Sequence, residues 1–132
     1  MREGVDIMSK KKQLFCSKPF KWFEVSEVNE KGEVFLCCPS WLDTPIGNLR
    51  YQSVEEIWNG EKAQKIRRSI LDGSFEYCNR SRCPYLQTIS GSVEMIEDVT
   101  DEDLKAAIEK ELTILPHGPR EIICSYDKSC NL

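Results

Sequence analysis

A chain of 132 residues, 40% hydrophobic and 30% charged, has the length and composition of about one soluble globular domain, neither fibrous nor disordered. Its net charge of -4 argues against a sequence-independent nucleic-acid binder, which needs a concentrated basic surface to displace counterions from phosphate. No apolar run approaches the roughly 20 residues that cross a bilayer, and the opening MREGVDIMSKKKQLF lacks the apolar core and cleavage site of a secretion signal. The expected location is therefore the cytoplasm, with neither nucleic acid nor membrane as partner. Against that ordinary background stand seven cysteines. Thiols do not persist as structural disulfides in a reducing compartment, so a dense set of them reads as metal or iron-sulfur ligands. The single histidine, His117, lies in a PHGP turn, which leaves no material for a hydrolytic zinc site built on several histidines.

Residues 1-13 read as a leader, with Lys10, Lys11 and Lys12 a solvated basic run. Trp22 to Val28 roughly alternates polar and apolar residues, Asn29 to Gly32 supplies turn chemistry, and Glu33 to Cys37 is a second β-rich run, so a hairpin is predicted. Pro39 to Asn48, with two prolines and an Ile-Gly-Asn turn, is expected to be a loop. Ser53-Val-Glu-Glu56 has the form of a capping box and starts a helix that Gly60 divides. In the longer part Ala63, Ile66, Ile70 and Leu71 recur at helical spacing, while Lys62, Lys65, Arg67 and Arg68 are expected on a solvated face. Asp72-Gly73 ends it. Residues 87-99 lack cysteine and read as a connector, and Thr100 to Asp103 opens another helix whose Leu104, Ile108 and Leu112 share a face. Asp98, Asp101, Glu102 and Asp103 complement that helix's dipole instead of forming a paired-carboxylate active site. Arg120 to Tyr126 looks like a buried strand with Cys124 in the core, an orphan because nothing near it in the chain offers a partner.

Cys16, Cys37 or Cys38, Cys78 and Cys83 make a set of four thiols, which is what an iron-sulfur cluster or a structural zinc requires. Soft sulfur donors suit both, and spacing alone does not separate them. Pairing of the hairpin strands would bring Cys16 and the Cys37-Cys38 pair together, and Cys78-x4-Cys83 follows directly after the long helix. Trp22, Trp41 and Trp58 are expected to pack in the core.

Cys16-Ser-Lys-Pro19-Phe20, Gly32-Glu-Val34-Phe-Leu-Cys37-Cys38-Pro39-Ser-Trp41, Ile46-Gly47-Asn48-Leu49, Ser53 to Asn59, Ile66-Arg67 and Cys78-x4-Cys83-Pro84, taken in this order, resemble a SPASM domain, the auxiliary iron-sulfur module of many radical S-adenosylmethionine enzymes. The resemblance implies a β-hairpin followed by helical segments that ligates a 4Fe-4S cluster. It maps Cys37 onto the ligand of Gly-x-Val-x-x-Cys, with Cys38 as the alternative and otherwise a packed thiol, since neighbours on a strand face opposite ways. The implied metal ligands are Cys16, Cys37, Cys78 and Cys83. Pro119 to Leu132, ending Cys130-Asn-Leu, resembles the first strand and opening of the CxxxCxxC loop of a radical S-adenosylmethionine barrel. There Cys130 would be the first ligand of the cofactor-binding cluster, and the other two would lie beyond Leu132.

The expected fold class is α+β, a small hairpin plus helices organised around a cysteine-ligated cluster. Four segments are expected: a leader at 1-13, the iron-sulfur domain at 14-86, a helical linker at 87-118 and the truncated start of a barrel at 119-132. The resemblance implies a fragment with no catalytic residue of its own. Its barrel partner would lie in cis, S-adenosylmethionine would bind only to the complete protein, and the substrate is not readable beyond the fact that many relatives modify peptides or proteins. The rival reading is a free-standing four-cysteine zinc module serving as a structural or partner-binding domain.

Overall fold

The computed structural model describes residues 13–124, an α+β fold. All of the expected leader except Gln13 lies outside the described residues, and so does Cys130. Short strands come first: β1 (Leu14–Cys16), a 3-10 turn at Lys18–Phe20, β2 (Trp22–Val25), β3 (Glu33–Phe35) and β4 (Gly47–Asn48). Helices α1 (Val54–Trp58), α2 (Glu61–Leu71) and α3 (Pro84–Thr88) follow, then β5 (Val93–Met95), α4 (Glu102–Lys110) and β6 (Glu121–Cys124).

The predicted hairpin is present. β2 and β3 pair antiparallel, Glu24 opposite Phe35 and Val25 opposite Val34. Gly32 in their turn has φ +84, a left-handed conformation that glycine adopts without steric cost, and a Cβ there would stand 2.6 Å from Asn48 Oδ1. The expected loop before Asn48 hides a short strand: β4 adds to β3, and Asn48 fixes the joint by donating from its amide to Lys31 O at 2.9 Å. The capping box is reciprocal, Glu56 N–H donating to Ser53 Oγ at 3.1 Å and Ser53 N–H to Glu56 Oε1 at 2.8 Å. On α2, Ala63, Ile66, Ile70 and Leu71 are buried, and they pack with Phe15, Phe20, Phe23, Val34 and Leu36 in one core.

Three expectations change. The connector contains β5, which pairs antiparallel with β1 and puts Val93 opposite Cys16; Val93, Val99, Leu104, Ile108 and Leu115 all enter the same core as the thiols. The C-terminal strand is no orphan, because β6 lies parallel to β2 over four residue pairs, and both Arg120 and Glu121 N–H donate to Lys21 O at 2.9 Å. Backbone pairing holds it while all four of its residues stay exposed, so Cys124 is a surface thiol and not a core one. Finally, Arg67 is completely buried, whereas Arg68 beside it is exposed as expected. Its guanidinium bonds the carbonyl oxygens of Pro19, Thr113 and Trp58 at 2.7 to 2.8 Å and Asn59 Oδ1 at 3.2 Å, and it stacks 4.4 Å from the Trp58 ring centroid. A five-donor planar cation found enough acceptors to leave water.

Candidate metal centre

Each of the four thiols is placed by a different local device. Cys16 ends β1, fixed by pairing with Val93, and is buried. Cys37 lies two residues past the end of β3, also buried. The chain then folds into a turn in which Trp41 and Leu42 N–H both donate to Cys38 O, at 3.1 and 3.0 Å. Cys78 follows α2 through a turn at Phe75, a buried aromatic residue with φ +51, which a bulky side chain rarely takes. Cys78 N–H donates to Phe75 O at 3.1 Å. Cys83 stands immediately before α3, its N–H donating to Asn79 O at 2.9 Å. A further bond joins the halves: Asn79 N–H donates to Trp41 O at 2.7 Å, tying the Cys37 turn to the Cys78–Cys83 loop.

Cys16, Cys37 and Cys78 each have at least one other of these sulfurs close enough to act on their ionisation. Cys83 acts on Cys16, Cys16 acts on Cys37, and Cys16, Cys37 and Cys83 all act on Cys78. Cys38 is half-buried, and because both it and Cys37 lie past the end of β3, strand alternation does not set their directions. Among the described residues no three His, Cys, Asp or Glu side chains form a group that could hold a single metal ion as they stand, so the thiols share a neighbourhood rather than a point.

Burial is the main influence on their ionisation. It pushes the Cys37 thiol up from 9.0 to about 12, with repulsion from Cys16 adding and the Lys18 ammonium, the Cys38 N–H and the Trp41 indole opposing. Burial likewise raises Cys78 to about 12, with repulsion from Cys16, Cys37 and Cys83 adding to it. Cys16 is raised by burial too, against a Ser92 hydroxyl 3.3 Å from its sulfur and the Lys18 N–H. Without metal the folded chain therefore keeps protons that the unfolded chain releases near pH 9.0. The stability of the reduced, metal-free protein is full below that pH and falls as pH rises towards about 12, by at most about 1.4 kcal/mol per pH unit for each such thiol. Urea unfolding at pH 8, 9 and 10 reads this directly, and midpoints that do not fall would contradict the burial of the thiols.

Soft sulfur donors in an apolar surrounding with N–H and O–H groups near the sulfurs suit a thiolate-ligated iron-sulfur group, as does one orphan: Trp41 Nε1 is buried and has no hydrogen-bond acceptor. Residues 16–84, a little over half of the chain, match the family model of the SPASM iron-sulfur cluster-binding domain. The chain belongs to the SPASM family. Iron-sulfur cluster binding comes with that membership, and the matched stretch contains all four gathered thiols. No curated protein and no solved structure matches this SPASM chain significantly.

The sequence did not point to the residues around the sulfurs. Ser92 comes from the supposed connector and reaches Cys16 only because β5 pairs with β1. Lys18 belongs to the Cys-Ser-Lys-Pro motif but carries no spacing signal of its own, and in the structure its ammonium sits 3.6 Å from the Trp22 ring centroid.

Proposed function

We propose that Cys16, Cys37, Cys78 and Cys83 hold one 4Fe-4S cluster, and that this SPASM domain serves a radical S-adenosylmethionine enzyme in the cytoplasm, supporting substrate binding or electron transfer beside a barrel in the same polypeptide. The observation that carries the reading is the family match over residues 16–84, which contains all four of these cysteines; the closeness of Cys16, Cys37 and Cys83 to Cys78 supports it. Bound there, such a group supplies one-electron redox chemistry at a potential set by burial and hydrogen bonds to sulfur.

The chain's own residues would do the following. The four cysteines give up their protons on ligation, so loading releases protons and is favoured by higher pH. Phe15, Phe20 and Leu36, all within 1% exposure, keep water out of the core that Cys16 and Cys37 share. Lys18 offsets negative charge at Cys16 and Cys37, and Arg80 does so at Cys78. A depression of about 390 Å³ opens beside Cys16, lined by Ser17, Lys18, Lys21, Ser92 and Arg120 among others. Ser17 adjoins Cys16 in the chain and Ser92 touches its sulfur, which supports a substrate-binding role next to the redox group. Reading the resemblance at Cys130 as the start of the barrel's cofactor loop supplies the barrel in cis; S-adenosylmethionine would bind to that barrel in the complete protein.

The test separates iron from the zinc alternative. Protein purified without oxygen from iron-supplied cells should be brown, with about four iron and about four acid-labile sulfide per chain. A colourless protein with one zinc per chain and no iron uptake on reconstitution would overturn it in favour of the four-cysteine zinc module.

A further inference from the structure

Indole N–H groups find acceptors elsewhere in this fold. Trp22 Nε1 donates to Glu24 Oε1 at 2.9 Å and Trp58 Nε1 to His117 O at 2.8 Å. Trp41 Nε1 is different, the only buried side-chain nitrogen or oxygen among the described residues without a hydrogen-bond partner. A buried donor with no acceptor is costly to fold, so its retention in a well-braced place asks for an acceptor that arrives later. The bracing is plain. Trp41 N–H is held by Cys38 O and Trp41 O by Asn79 N–H, and the indole meets the Tyr85 ring edge-on, centroids 6.0 Å apart at 75°. The indole thus sits between the Cys37 turn and the Cys78–Cys83 loop. Its N–H lies beside the Cys37 sulfur without forming a bond to the thiol. A thiol sulfur is a weak acceptor; a thiolate carrying negative charge is a much stronger one.

We propose that Trp41 Nε1–H donates a hydrogen bond to the Cys37 sulfur once the domain is loaded, and that this bond raises the reduction potential of the cluster. It rests on the 4Fe-4S reading above. Reduction adds negative charge that spreads onto the ligand sulfurs, so a donor there stabilises the reduced state more than the oxidised one. Trp41 is then a positioning and tuning residue. Neither the ring's shape nor its packing on Tyr85 is needed for the effect; the N–H is.

Trp41→Phe keeps an aromatic ring and removes the donor. Iron and sulfide content should equal the wild type, while the potential measured by EPR-monitored titration moves down, to about tenfold less reduced cluster at a fixed poise, which is about 59 mV for one electron. A fully loaded W41F domain with unchanged potential would overturn the proposal and leave the cluster reading standing; a wild type that takes up no iron would remove both. Because the variant could lose its fold, wild-type protein carrying 15N-indole tryptophan gives a second reading. Pulsed EPR of the reduced state should show coupling to an indole 15N–H whose proton exchanges in D2O, and no such coupling would also overturn the proposal.

Discussion

Replacing Cys16, Cys37, Cys78 or Cys83 by Ala, one at a time, is expected to take bound iron from full occupancy to near zero, while Cys38→Ala and Cys124→Ala keep it. The four lost thiols are those the family resemblance assigns, three of which act on the fourth, Cys78; Cys38 is half-buried and Cys124 is exposed on β6. Removing a small buried thiol costs about 1 kcal/mol through the cavity it leaves. The loss of metal cross-linking between β1, the Cys37 turn and the Cys78–Cys83 loop adds to that in the loaded protein. The metal-free variants should still fold, since Val93, Val99, Leu104, Ile108 and Leu115 add to the core that residues 15–71 build. Iron analysis after parallel anaerobic reconstitution reads the outcome. Retained iron in any of the four, or loss of it in Cys38→Ala, would mean that the ligand set is wrong.

Arg67→Met is expected to have the largest effect on folding stability of any single change outside the thiols. The side chain is fully buried at 0% exposure, and three backbone carbonyls and the Asn59 amide depend on its N–H groups. Burial lowers its pKa to about 9, still well above neutrality, so it is a cation where it sits. Each acceptor stranded without water or a partner costs about 1–3 kcal/mol, and a loss of about 3–5 kcal/mol follows even if part of the site relaxes. Against a total of about 5–15 kcal/mol for a domain, this leaves a marginal fold. Arg67→Lys should recover only a part, since an ammonium cannot span four acceptors in one plane. Arg67 also holds Pro19 O, three residues beyond Cys16, so iron occupancy should fall with stability. Urea unfolding gives the number; a loss under about 1 kcal/mol would contradict the role assigned to the buried guanidinium.

Arg67 also marks the limit of what the sequence discloses. Hydrophobic periodicity places Ala63, Ile66 and Ile70 on the buried face of α2, and by the same pattern an arginine belongs outside. What drew it in was a set of backbone carbonyls from Pro19, Trp58 and Thr113, groups that every residue carries and that no pattern advertises. Local chemistry was legible wherever it was self-contained: the Asn29 to Gly32 turn, the Ser53–Glu56 capping box and Asp101 at the start of α4, whose carboxylate accepts from Leu104 N–H at 3.1 Å. Long-range pairing was not. β5 is three residues long and β6 four, too short to announce partners, and they find β1 and β2 across 77 to 81 and 99 residues of chain. The setting of the thiols was not legible: Ser92 reaches Cys16 only through the pairing of β1 with β5, and neither Lys18 nor the unpartnered Trp41 indole carries a spacing signal that marks it as a neighbour of sulfur.

We propose above that four cysteines of this SPASM domain hold one four-iron cluster. Mössbauer spectroscopy of protein reconstituted with 57Fe without oxygen tests it most directly, because the nuclei report the number, valence and ligation of the irons together. The expected spectrum is that of a diamagnetic 4Fe-4S centre in which all irons are tetrahedral in sulfur and none carries an oxygen or nitrogen ligand. A spectrum of mononuclear iron in four thiolates, of a 2Fe-2S centre, or of a cluster with one chemically distinct iron would contradict it.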